Sequence, residues 1–125
     1  EKLRAARTCY NHLAGRLGVA LADAMLAQQQ LVLGEDAGVL TAAGQSLLQR
    51  LAVPVSQETV SNRVFCKPCL DWSERRPHIG GALGVAIADR CFELGWIERL
   101  RDSRALRVTK AGHDGFQKHF AFTPV

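Results

Sequence analysis

The chain has 125 residues, 47% of them hydrophobic, with four cysteines and a formal net charge of +4. That is one domain's length with enough apolar residues for a core, which excludes wholesale disorder, and no apolar run approaches the roughly 18 residues of a membrane span. The basic excess lies wholly in the second half: residues 1–62 hold five basic and five acidic side chains, residues 63–125 eleven and seven.

The first residues, EKLRAARTCYNH, are charged and lead into no apolar stretch, so no secretory signal is read. Without export, a reducing cytoplasm is the expected compartment, and four cysteines then read as metal ligands, redox groups or plain thiols rather than a disulfide framework. The chain does not begin with Met, which leads us to expect a piece of a longer protein.

In chain order, the first long element predicted is a helix. Leu13, Leu17, Leu21 and Met25 recur at helical spacing, Asn11 is the expected N-cap, and the helix should end near Gln29. A hairpin follows, with Leu31-Val32-Leu33 and Val39-Leu40 flanking a turn from Gly34 to Gly38. Thr41 should cap a short helix whose apolar side is Leu47, Leu48 and Leu51.

After a joining segment the pattern returns. HIGGALGVAIAD, from His78 to Asp89, matches HLAGRLGVALAD, from His12 to Asp23, at eight of twelve positions. Ile79, Leu83, Ile87 and Cys91 define a second helix, with Pro77 in its first turn and its end near Gly95. Trp96–Leu100 and Ala105–Val108 form a second hairpin around Arg101–Arg104, and Thr109 caps a last helix carrying Phe116 and Phe120.

The expected architecture is therefore α+β, as two pseudo-symmetric helix–hairpin–helix repeats, each a winged-helix-like half. Repeat one covers about 10–52, the linker about 53–77 and repeat two about 78–121, all within one domain spanning 1–125. Ala14, Gly18 and Ala22 on one helix, and Gly80, Gly84 and Ala88 on the other, form small-residue stripes through which the two long helices are expected to cross closely. LAGRLGV also looks like the start of a helix-turn-helix, but only twelve residues separate Val19 from the hairpin at Leu31, too few for a turn and a recognition helix.

The densest chemistry lies between the repeats and before the first. Cys66-Lys67-Pro68-Cys69 is a C-x-x-C and Cys9-Tyr10-Asn11-His12 a C-x-x-H. Together they offer four ligands for zinc or another transition metal, with His78 a fifth. The same residues also read as free, partly buried thiols, or in Cys66 and Cys69 as a redox pair; His12 and His78 also read as hydrogen-bonded histidines near helix starts. Trp72 is expected to anchor the linker on the core, or to wall a ligand pocket in which Arg75 or Arg76 holds an anion. Arg99, Arg101, Arg104, Arg107 and Lys110 make the second hairpin basic enough to touch phosphates as a wing would. Asp23 and Asp89, which repeat, are expected to pair or cap locally. No nucleophile–base triad, carboxylate pair or phosphate loop occurs, so no enzyme is read.

RTCYNHLAGRLGVALADAML and CLDWSERRPHIGGALGVAIADRCFELGWIERL resemble the C-terminal region of a group of bacterial regulators of the ArsR-like, or arsenical-resistance-repressor, family. The motifs R-T-C-Y-x-H-L-A-G and C-x-D-W-S-E-R-R-x-H carry Cys9, His12, Cys69, Asp71, Trp72, Arg75, Arg76 and His78; Cys66 lies outside them. The resemblance implies a cytoplasmic transcription regulator whose N-terminal helix-turn-helix domain, which binds DNA, is missing from this chain. It implies effector sensing by a metal or small molecule, support of a homodimer, or both, and no membrane. The C-V-C motif of arsenic sensors is also missing. The alternative is a tandem winged-helix-like module that binds nucleic acid through its basic second half.

Overall fold

The computed structural model describes residues 2–55, 65–101 and 103–124. Residues 56–64 of the joining segment, and Asp102 of the second loop, thus lie outside the described residues. The protein is α+β, built from short antiparallel hairpins and helices.

A single helical turn, α1 (Lys2–Ala5), leads into β1 (Arg7–Cys9) and β2 (His12–Ala14), which pair with Cys9 opposite His12. Then come α2 (Gly15–Ala27), the hairpin β3 (Leu31–Leu33) and β4 (Gly38–Leu40), and α3 (Ala42–Arg50). The later half runs β5 (Lys67–Leu70) and β6 (Pro77–Gly80), paired with Cys69 opposite His78, then α4 (Gly81–Glu93). The hairpin β7 (Ile97–Arg99) and β8 (Leu106–Val108), α5 (Lys110–Gly115) and a π-helical turn at Phe116–Phe120 complete the described chain.

Both long helices start later than expected. His12–Ala14 and Pro77–Gly80 are strands, and each helix begins at a glycine, Gly15 or Gly81, with φ of +73°. That left-handed backbone, which a glycine adopts without steric cost, breaks the helical pattern and lets a strand turn directly into a helix. Asn11 therefore sits in a tight turn and caps nothing, and Pro77 opens a strand of a two-stranded hairpin, where its missing N–H is tolerated. Each half accordingly begins with a hairpin absent from the helix–hairpin–helix expectation, and the segment taken as a linker holds one of them.

The later elements follow the local pattern. Thr41 and Thr109 accept hydrogen bonds from the amides of Gly44 and Gly112, at 3.1 and 3.0 Å. Leu47 and Leu48 are fully buried, as are Phe116 and Phe120, which pack around Trp96. One apolar cluster joins these to Leu17, Met25, Leu83 and Ile87. The halves are also tied by backbone: Thr8 donates to the Arg104 carbonyl at 3.0 Å and Leu106 to that of Ala6 at 3.0 Å.

The small-residue stripes do not make the expected helix–helix crossing. The long helices instead pack on strands, α2 against β6 and α4 against β2. A methyl group on Gly18 would stand 3.3 Å from Cβ of His78, and one on Gly84 only 2.9 Å from Cβ of His12. The tighter constraint is the preceding strand of the same half, whose Leu13 or Ile79 carbonyl such a methyl would meet at 2.4 or 2.2 Å, so the glycines make room for that backbone and for the histidine of the other half.

Candidate metal centre

The two N-terminal hairpins of the halves each present a cross-strand cysteine–histidine pair. Directly opposed residues of an antiparallel pair lie side by side on one face, so two residues of turn between Cys9 and His12 achieve what eight residues achieve between Cys69 and His78. Packing β2 beside β6 then brings the pairs together. One ligand atom from each of Cys9, His12, Cys69 and His78 falls within 4.8 Å of all the others. Tetrahedral zinc, with bonds of about 2.0 Å to nitrogen and 2.3 Å to sulfur, needs ligand atoms roughly 3.3–3.8 Å apart, a small contraction from this arrangement.

The imidazoles form the inner part of the cluster and the thiols its half-exposed part. The two Nε2 atoms stand 3.0 Å apart. Burial, and then the neighbouring His78, lower the His12 pKa to about 4; burial also lowers that of His78. Both rings are therefore neutral at physiological pH, the form in which imidazole binds metal. Burial and the neighbouring Cys9 raise the Cys69 thiol, so a metal would have to displace a proton there. Two sulfurs and two imidazoles form a borderline-soft donor set that fits zinc or a similar transition metal.

Behind His78 lies Asp71, fully buried. Its Oδ2 accepts from His78 Nδ1 at 2.9 Å and from the Gly15 amide at 2.6 Å. Its Oδ1 accepts from Arg7 Nη2 at 2.9 Å, and from the Ser73 amide and hydroxyl at 3.0 and 2.7 Å. Burial alone would raise the carboxyl, but the bonds from Ser73, Gly15 and Arg7 hold it well below the usual carboxylate range. Asp71 also supplies the N-terminal cap of α2 from across the molecule, the role first expected of Asn11. Arg7, completely buried, was missed in the sequence; its only signal was its place in the R-T-C-Y-x-H motif.

The other expected residues lie apart from the cluster. Cys66 is not in it. Cys66 lies just before β5 and is buried, whereas Cys69 is in the strand, opposite His78. Cys66 is buried against the β3–β4 hairpin, where a methyl on Gly38 would stand 2.7 Å from its sulfur, and burial pushes its pKa up to about 11. Cys66 and Cys69, read above also as a redox pair, are both free thiols. Trp72 does not anchor in the core: it is 56% exposed, with the Arg7 guanidinium 4.1 Å from its ring centre. With Leu70, Asp71 and Arg75 it lines a cleft of about 240 Å³. Arg76 pairs with Asp23 at 2.8 Å, a distant partner rather than the local one expected for Asp23.

On the basic hairpin, Arg99, Arg101, Arg104, Arg107 and Lys110 are all exposed. Arg107 is paired with Glu98, and Arg99 lies 4.7 Å over the Phe92 ring.

Over 119 residues the chain is 41% identical to a relative named as an uncharacterized HTH-type transcriptional regulator, YdfF of Bacillus subtilis (strain 168). The match takes in 95% of this chain and 53% of the relative. The chain is similar to half of a transcriptional regulator. It spans about half the length of the curated relative it matches. No protein-family profile matches the chain, and no solved structure matches it. No helix among the described residues is long and apolar enough to cross a membrane.

Proposed function

We propose that this chain is the regulatory part of a DNA-binding transcriptional regulator and that it responds to a transition metal held by Cys9, His12, Cys69 and His78. The observation that carries this reading is the convergence of two cysteine–histidine hairpins, one from each half, on a single point. A metal there would clasp the halves together, because neither hairpin alone offers more than two ligands. The similarity to half of an HTH-type regulator supports a regulatory role. The resemblance to ArsR-like proteins supports a cytoplasmic parent protein whose DNA contacts come from a separate N-terminal domain, with a homodimer as the assembly. No catalytic role is part of this reading.

Elemental analysis with thiol titration, on protein purified without chelator, tests it. The expected result is one transition-metal ion per chain, two thiols protected while it is bound, and DNA affinity of the longer regulator that changes on metal removal. Less than about a tenth of an equivalent of metal after incubation with excess zinc would sink the metal site. The nucleic-acid alternative predicts steeply salt-dependent DNA binding by this chain alone.

A further inference from the structure

We infer that Asp71, held by Arg7, is the positioning residue of the centre: it presents His78 through Nε2 and completes an electrically neutral site for a divalent, tetrahedrally coordinated cation. This rests on the metal reading above and specifies the cation and the outer shell.

The orientation follows from the hydrogen bonds. Both oxygens of an ionised carboxylate only accept, so the 2.9 Å contact between Asp71 Oδ2 and His78 Nδ1 requires a proton on Nδ1. The lone pair of a neutral ring is then on Nε2, which faces the Nε2 of His12. A ligating histidine commonly donates its other ring N–H to a carboxylate in this way, which fixes the tautomer and raises the basicity of the ligand.

Asp71 cannot turn to become a ligand itself. Oδ2 is engaged by Gly15 and His78, and Oδ1 by Arg7, Ser73 and the Glu74 amide at 3.2 Å. These partners come from β1, from the start of α2, from the loop after β5 and, in His78, from β6. The carboxylate is therefore fixed relative to both hairpins.

The charges then decide which cation fits. Arg7 and Asp71, each 0% exposed, cancel one another. Two thiolates cancel a dipositive ion, and the imidazoles are neutral. A monovalent ion would leave a net negative charge and a trivalent ion a positive one, both unfavourable at a partly buried site. Four donors with no oxygen ligand disfavour magnesium and calcium, which take six or more oxygens. A zinc-like ion satisfies both conditions.

Cobalt(II) is the probe, because its four-coordinate thiolate complexes give intense visible bands and a near-ultraviolet charge-transfer band. Cobalt(II) and zinc affinities, by chelator competition, are compared in the wild-type chain, in Asp71→Asn, and in the double variant Arg7→Met/Asp71→Asn. The double variant removes both buried charges at once and keeps the fold from failing for want of a partner. We expect both variants to bind about 10- to 100-fold more weakly. The charge-transfer band should persist while the visible bands change as His78 loosens. Wild-type affinity and spectrum in both variants would overturn the inference. Nitrogen-15 NMR of the wild-type imidazoles checks it without any substitution: His78 should carry its proton on Nδ1 with and without zinc, and a proton on Nε2 would overturn it. Absence of cobalt(II) charge transfer in the wild-type chain would instead remove the metal reading, and this one with it.

Discussion

His12 and His78 face one another, Nε2 to Nε2 at 3.0 Å, although 66 residues separate them in the chain. Two protonated imidazoles could not share that space. The unfolded His12 titrates near 6.5 and the folded one near 4, mainly through burial, and His78 shifts in the same direction. Between those values the unfolded chain binds protons that the folded chain does not, so stability falls as the pH falls. Chemical denaturation of the metal-free protein should show stability intact at pH 7 and declining from about pH 6.5 towards 4. A flat profile across that window would contradict the buried, neutral pair. Saturating zinc should raise the denaturation midpoint at pH 7 by mass action, and a chelator should abolish the gain.

The thiols divide sharply. Cys9→Ser and Cys69→Ser each replace a half-exposed sulfur of the cluster by a poor ligand for a soft cation, and stoichiometric metal binding should be lost. Cys66→Ala and Cys91→Ala change core residues and should each retain one metal per chain. Loss of metal from the Cys66 variant, at full folding, would restore the C-x-x-C reading.

Gly84 lies where α4 meets the histidine strand. An added methyl would come within 2.2 Å of the Ile79 carbonyl and 2.9 Å of Cβ of His12. Backbone cannot give way as a flexible side chain can. Gly84→Ala should therefore destabilise the protein by about 1–3 kcal/mol despite alanine's better helix propensity, and weaken metal binding as His12 shifts. Urea denaturation with a parallel metal titration measures both. A stabilising effect would mean that the close approach is absent.

The Thr41 cap is remote in role from the cluster. Its hydroxyl accepts from the Gly44 amide and donates to the Gln29 carbonyl at 2.7 Å. Thr41→Ala should cost about 1 kcal/mol of stability and leave metal affinity unchanged, because the hydroxyl bonds the start of α3 and the Gln29 carbonyl and no residue of the cluster. A loss of affinity comparable to that of the cluster variants would show that the centre reports global stability rather than local ligation.

What the amino-acid pattern determined by itself was local. The β3–β4 and β7–β8 hairpins, the two threonine caps and the apolar sides of the closing helices rest on spacing and turn residues that act within a few positions. The cysteines and histidines were also visible as a chemical set, because few residue types bind soft cations.

Only the tertiary structure decided how that set is used. Helical periodicity runs unbroken through Leu13 and Leu17, yet Gly15 adopts a left-handed φ that ends a strand and starts a helix. The choice depends on Asp71, 56 residues away, which receives the Gly15 amide. Cys66 and Cys69 look equivalent in a C-x-x-C, but the chain enters β5 between them, so that Cys66 is buried in the core and Cys69 joins the cluster. Whether His78 joined Cys9 and His12 depended on β2 lying beside β6, a contact between segments that no local preference encodes. Spacing along the chain reports which side chains can share a face. The packing of one hairpin against another determines which faces meet.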